Sequence, residues 1–368
     1  MHKFSPLVFY SILIVTLFFG LYPKGFYFKN NVRWSTDSPG IDFGKFGIAH
    51  SEPFIEGIVG DPALSIDIAI RPEAGAGKGF SHILTLHNGD DESQLMMGQW
   101  LSSIVLMNGN DYENKKKSKK IWADTADADS DEIFVTVTSG IGGTSVYLNG
   151  QLVKKRKDLI LKVPEGDSKS RLIIGNSIYG KSSWEGRVRG LAFYRDVFSD
   201  HRAALHYSEW IKNGNLRFAE KEKPLILYAF DEKTGIIAID HGTGKNNLTI
   251  PERMTVLKMV FLDTSVEKLK TDSRFIKDFI INLLGFMPFG FIFSALLFRL
   301  RGKFPVHFIL IAVGAGFLLS LFIEILQAWL PSRNSDAFDL ILNTTGALFG
   351  SVMFMLARIR SERIGFRG

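Results

Sequence analysis

Apolar residues along the chain gather into four runs, separated by one long stretch of mixed character. The first run, FSPLVFYSILIVTLFFGLY (residues 4–22), is just long enough to cross a bilayer, which takes about 20 helical residues. No small-x-small cleavage pattern follows it, and the next residues are PKGFYFKNN, so it reads as an uncleaved anchor rather than a signal peptide. Three further runs lie at about 277–298, 305–330 and 338–357, and Pro331 closes the second of these because proline cannot continue a helix. Four membrane spans are therefore predicted.

Between the first two runs, over roughly residues 40–260, the hydrophobic period becomes two. LSIDIAIRP (64–72) alternates as a half-buried strand does, and HILTLHNGDD (82–91) is a strand ending in a Gly/Asp turn. IFVTVTSGIGGTSVYLNGQLVKK (133–155) reads as two hairpins, one through a Gly-rich turn and one through Asn149–Gly150. RLIIGNS (171–177) and WEGRVRGLAFYRDVFS (184–199) continue the pattern. SDHRAALHYSEWIKNG (199–214) predicts a short helix, capped by Ser199 or Asp200 and stopped by Gly214. The expected fold class is α+β multidomain: a four-helix transmembrane bundle with an extracytoplasmic antiparallel β-sandwich of jelly-roll type. The expected divisions are 4–22, 35–260, 275–357 and a basic tail, 358–368.

Charge adds orientation. The net charge is +6, and much of the basic excess flanks the apolar runs: Arg299, Arg301 and Lys303, then Arg358, Arg360, Arg363 and Arg367. Such clusters mark cytoplasmic loops, which places both termini inside and residues 23–276 outside. Lys24, Lys29, Arg33, Lys268, Lys270, Arg274 and Lys277 pull the other way, but charges beside a long translocated domain weigh less. The KKKSKK run at 115–120 has no interleaved aromatic residue and reads as a solvated loop, so no nucleic-acid partner is expected. The chain has no cysteine, which excludes disulfides, thiolate catalysis and Cys-based zinc sites. His82, His87 and His201 form no ligand spacing, and Gly140–Gly143 reads as a hairpin turn rather than a phosphate loop.

VTVTSGIGGTSVYLNGQLV, LIIGN and WEGRVRGLAFYRDVFSDHRAALHY together resemble the laminin-G-like, concanavalin-A-like jelly-roll modules over about 45–215. In those modules a strand pair like the one in 225–251 usually opens the domain; here it follows the rest, so the order looks permuted. The resemblance implies carbohydrate or protein binding, sometimes with calcium. The E-x-D-x-x-E spacing of the related glucanases is absent, and no carboxylate pair is nominated for glycoside hydrolysis, so binding is expected rather than cleavage. Trp100, Trp122, Tyr179 and Trp184 are candidates for stacking on sugar rings, with sandwich core as the competing role. Asp127, Asp129 and Asp131 in ADTADADSDE are candidate Ca²⁺ ligands, although the spacing is not that of an EF-hand and a solvated loop is the favoured reading. No other cofactor is indicated.

The remaining chemistry lies in the apolar runs themselves. Ser320, Glu324 and Gln327 form one stripe of the third span, and Asp339 and Asn343 stand at i, i+4 on the fourth. The second span begins with Asp278, Asn282 and Gly285, the same D-x-x-x-N-x-x-G pattern as Asp339, Asn343 and Gly346. The repeat suggests two parallel hairpins, with the β domain received by the first. Glu324 precedes Pro331 by seven residues, which sets it about 10 Å below the outer surface. Arg333 and Asp336, in PSRNSD, would lid the cluster.

These motifs — N-x-x-G-F-x-P-F-G (282–290), I-E-x-x-Q (323–327), P-x-R (331–333), D-x-x-D (336–339) and N-x-x-G-A-x-x-G (343–350) — resemble the VanZ family of small membrane proteins over about 275–357 plus the first span. That resemblance implies a multi-pass protein of the bacterial cytoplasmic membrane, in a family associated with glycopeptide resistance. The β insert departs from the family pattern. Three roles are open for Asp278, Asn282, Glu324, Gln327, Arg333, Asp336, Asp339 and Asn343. They hold an envelope lipid or glycolipid head group while the β domain binds cell-envelope polysaccharide; or they are structural glue in an adhesion or scaffold module; or Glu324, Asp339 and Asp278 serve acid–base catalysis in an outer-leaflet glycosyl or phosphoryl transferase or hydrolase.

Overall fold

The computed structural model describes residues 6–22, 28–55, 62–73, 79–109, 118–126, 132–166, 168–264, 273–302, 306–330 and 335–365. The chain divides into two units, Tyr27–Leu257 and a second made of Met1–Phe26 with Lys258–Gly368.

The first unit is a sandwich of two antiparallel sheets. One contains β1 (Val32–Trp34), β2 (Ile41–Phe43), β4 (Leu64–Pro72), β9 (Ile133–Gly140), β10 (Gly143–Leu148), β11 (Gln151–Arg156), β13 (Gly186–Tyr194) and β14 (Ile226–Tyr228). Its order is β1-β2-β13-β4-β9-β10-β11, with β14 also on β13. The other sheet contains β3 (Ala49–Ser51), β5 (Phe80–His87), β6 (Leu95–Trp100), β7 (Ser103–Asn108), β8 (Lys120–Asp124), β12 (Arg171–Ile174), β15 (Ile237–Ala238) and β16 (Leu248–Thr249). Its order is β15-β16-β3-β12-β5-β6-β7-β8. The segment after the helical connection is thus split between the sheets, β14 pairing with β13 and β16 with β3.

The core between the sheets is built from alternate positions: Ile66, Ile68 and Ile70 of β4 meet Leu84, Leu86, Leu106 and Leu172 from the other sheet. β4 is nevertheless buried over seven consecutive residues, not half-buried as its alternation predicts. The reason is a second apolar layer. α2 (Asp200–Tyr207) and the turns after it lay Trp210, Leu216 and Ala219 over Ala69, Phe134, Ala192 and Tyr194 on the outer face. Ser199 caps α2, its hydroxyl accepting from the Arg202 amide. The Asn149–Gly150 hairpin has φ of 50° and 78°, the left-handed pair that a two-residue turn requires.

The second unit is helical. α3 (Ser273–Arg301), α4 (His307–Ala328) and α5 (Ala337–Gly365) each contain a stretch long and apolar enough to cross a membrane. α1 (Pro6–Gly20) has 15 residues, about 22 Å of helix against about 30 Å of hydrocarbon. Among the described residues, then, three helices are of membrane length and α1 is a shorter apolar fourth. α1 packs through Phe9, Ile12, Leu13 and Leu17 on Phe286, Phe289 and Ile323. α3 and α5 run parallel: Asn282 meets Asp339, and Ser294 meets Ser351, each pair advancing along both helices. α4 runs antiparallel to α5, with Gly316 over Ala347 and Ser320 beside Asn343. Glycine sets the closeness of α3 and α5. A Cβ added at Gly346 would fall on the Leu283 carbonyl, at Gly350 on the Met287 carbonyl, and at Gly290 on the Ala347 carbonyl.

Candidate functional site

Within the helical unit the polar residues of α3, α4 and α5 come together. Asn282 Nδ2 donates to Asp339 Oδ1 at 2.6 Å, linking α3 to α5. The Asn343 carboxamide donates to the Ser320 hydroxyl at 3.0 Å, linking α5 to α4. Glu324, 1% exposed, accepts the backbone N–H of Asp336 at 2.8 Å through Oε2, with Ser335 beside it. Among the described residues its charged neighbours are Asp339 and Asp336. Asp336 in turn accepts the Phe338 N–H at 2.9 Å, capping the start of α5. Gln327 Nε2 donates to the Gly20 carbonyl at 2.6 Å, tying α4 to the end of α1.

Asn282, Glu324, Asp336, Asp339 and Asn343 thus lie within about two helical turns of one another, roughly 10 Å along the bundle, and Gln327 reaches from them to α1. Arg333 and the Asp278 side chain lie outside the described residues. The sequence expectation missed Ser335, whose hydroxyl also accepts the Leu262 N–H at 3.1 Å and whose carbonyl accepts the Asp263 N–H at 3.0 Å. Its signal was weak, since a serine in a polar loop draws no attention until the loop is folded onto a buried carboxylate. Gly285 of the D-x-x-x-N-x-x-G pattern faces open space, and the close approach on α3 is made at Gly290.

In the sandwich, Trp184 is 0% exposed and its Nε1 donates to Gln99 Oε1 at 2.7 Å, and buried Tyr179 donates its hydroxyl to Asp91. Both are core residues, which corrects their nomination as sugar-stacking surfaces: a ring sealed on both faces cannot receive a ligand. Truncating Trp184 to Ala should cost the sandwich about 3–5 kcal/mol, read as a lowered thermal midpoint, whereas Trp122→Ala should leave the midpoint nearly unchanged. Trp100 and Trp122 are 37% and 44% exposed. Cross-strand pairing of Trp100 with Ser103, and of Val105 with Trp122, puts both on one face of the sheet, two strands across and two residues along, roughly 12 Å apart. The Lys120 ammonium lies 5.6 Å from the Trp122 ring centre.

Asp127, Asp129 and Asp131 lie outside the described residues. Among the described residues Asp231, Glu232 and His241 bring ligand atoms within 4.8 Å of one another. There the Arg217 guanidinium already bonds Asp231 at 3.0 Å and stands 3.3 Å from each His241 ring nitrogen, so a cation is present in the side chains themselves.

One titratable network went unpredicted. His206, fully buried under α2, contacts Asp67 Oδ2 at 2.6 Å through Nδ1 and Glu222 Oε2 at 3.0 Å through Nε2. Thr136 donates to the other Asp67 oxygen at 2.6 Å, and Arg202 Nη2 donates to Glu222 at 2.5 Å. Burial alone pulls the His206 pKa down, but the hydrogen bond and charge of Asp67, with the charge of Glu222, outweigh it and leave the pKa above its ordinary value. A raised folded pKa stabilises below the unfolded value of about 6.5, and that contribution is lost as pH rises through the folded value. Stability of the sandwich should therefore fall on alkalinisation above about pH 6.5, and His206→Gln should flatten that dependence in a pH series of thermal midpoints. The sequence signal was Asp67 itself, an acid on the outward side of a strand.

Comparison with known proteins gives a family match that begins inside the first unit and continues through the helical one. Residues 227–358 match the VanZ/LLP1 family model. No curated protein matches the chain. Among solved structures, the receptor binding domain of botulinum neurotoxin D is 16% identical with a TM-score of 0.37, over 49% of this chain and 46% of that one. The CBM40 of Ruminococcus gnavus IT-sialidase, bound to α2,3 sialyllactose, is 13% identical with a TM-score of 0.33, over 44% of this chain and 98% of that one. The chain spans under half the length of the toxin binding domain it matches. The protein is a chain of mixed α+β architecture in which a β-sandwich precedes three membrane-length helices and residues 227–358 are VanZ-like.

Proposed function

We propose that this is an integral protein of the bacterial cytoplasmic membrane whose helical polar cluster engages the head group of an envelope lipid or glycolipid, while its sandwich, on the outer side, binds carbohydrate. The observation that carries the reading is Glu324: an acid enclosed to 1% exposure in a membrane-length helix, held by the Asp336 amide, with Asp339 and Asp336 beside it. Burying ionisable groups in a membrane is costly, and retained ones mark ligand or ion sites by default. The positive clusters at 299–303 and 358–363 support cytoplasmic placement of those ends. For carbohydrate, Trp100 and Trp122 supply two exposed indoles on one sheet face.

The test has two arms. Purified protein should carry lipid that Glu324→Gln loses, and the full chain on a glycan array should give signals that Trp100→Ala and Trp122→Ala abolish. An array silent with and without calcium removes the carbohydrate half. A second reading, structural glue, is favoured by the three cross-helix bonds already made within the cluster. It predicts that Glu324→Gln leaves lipid retention untouched and changes only the yield of folded protein.

A further inference from the structure

Two carboxamides in the helical cluster hold buried oxygens that no donor meets. Gln327 is 2% exposed, and its Nε2 donates to the Gly20 carbonyl. Only the nitrogen of the amide can serve a carbonyl, so its orientation is fixed and Oε1 is the atom left without a hydrogen bond. Asn343 is 4% exposed; with its nitrogen on Ser320, its Oδ1 is left in the same state. Both flank Glu324. Gln327 lies three residues on along the same face of α4, and Ser320, which holds Asn343, lies four residues back. The donor given to Glu324 itself, the Asp336 amide, is neutral.

Among the described residues the site is therefore rich in acceptors and short of donors. Native interiors leave few buried polar groups unpaired, and an unmet acceptor in low dielectric is where a donor binds most strongly. A phosphate or carboxylate would add acceptors and like charge to it. A quaternary ammonium carries charge but no N–H. A primary ammonium brings three N–H donors and the opposite charge together. Depth suits a lipid: Glu324 stands four residues from the end of α4, about 6 Å along the axis, within head-group reach.

We propose that Glu324, Gln327 and Asn343 form a receptor for the primary ammonium group of a membrane lipid. This rests on the head-group reading above and names its ligand class.

The experiment uses the full chain in detergent, titrated with phosphatidylethanolamine, phosphatidylcholine and phosphatidylglycerol of matched acyl chains, with retention read by native mass spectrometry. The ethanolamine lipid should be retained at concentrations about tenfold or more below the other two, the difference that charge-assisted hydrogen bonds supply. Glu324→Gln should remove most of that preference. Equal retention of all three lipids, lost in Glu324→Gln, overturns the ammonium assignment and leaves the head-group reading standing, as does preference for phosphatidylglycerol. No retention of any lipid, or retention indifferent to Glu324→Gln, overturns both. The comparison among lipids on unaltered protein decides the matter even where the variant folds poorly.

Discussion

Glu324→Gln should leave the protein in the membrane at normal abundance and remove at least nine-tenths of its lipid retention. Glutamine has the shape of glutamate, and its Oε1 still accepts the Asp336 N–H that Glu324 receives at 2.8 Å. The junction of α4 with the start of α5 therefore survives; what disappears is the carboxylate. Glu324→Leu is the contrasting variant. It strands the Asp336 amide without its acceptor, which costs about 1–3 kcal/mol. Its expected signature is less folded protein by fluorescence-detected size exclusion, together with lost lipid. Glue alone predicts the opposite ranking for the glutamine variant, with retention intact. The lipid and yield measurements therefore separate a ligand site from a packing device on the same pair of proteins.

The other large effect belongs to the α3–α5 seam. Gly350→Val should abolish most of the folded membrane unit, because its Cβ would occupy the place of the Met287 carbonyl and approach the Phe291 amide at 2.8 Å. The obstacle is backbone on a neighbouring helix, so no side-chain rotation relieves it and the helices must part. Overpacking of this kind costs about 1–3 kcal/mol and occasionally more. Separation would also break the Ser294–Ser351 and Asn282–Asp339 bonds, whose loss adds to it. Gly285→Ala, facing open space, should be neutral in the same assay. Comparable losses in the two variants would mean that α3 and α5 do not meet along this seam.

Much of this was legible in residue order. The period of two at 64–72, the Asn149–Gly150 turn and the Ser199 cap are local signals, fixed by chemistry within a few residues. Membrane length was legible in α3, α4 and α5 because it depends on composition over one segment. Long-range placement was not. Nothing local distinguishes Trp184, sealed beside Gln99, from Trp122, exposed on β8. The outward positions of β4 read as solvent-facing because the covering residues, such as Trp210 and Leu216, come more than a hundred positions later. The D-x-x-x-N-x-x-G repeat correctly implied parallel helices, but aligning the motifs would set Asn282 beside Asn343. The helices instead pack one turn out of that alignment, with Asn282 on Asp339, because Gly346 and Gly350 take the Leu283 and Met287 carbonyls and so set the register.

The site exists only in that register, and the absence of native cysteine makes the register directly measurable. Ser294 and Ser351 place their hydroxyl oxygens 2.8 Å apart, each twelve residues beyond the Asn282–Asp339 pair. Ser294→Cys with Ser351→Cys, oxidised in native membranes, should form an intramolecular disulfide rapidly and nearly completely. Leu284→Cys with Ser351→Cys, on a face of α3 turned away, should not. A cross-link absent from the first pair, or equally abundant in the second, would contradict the convergence of α3, α4 and α5 on Glu324.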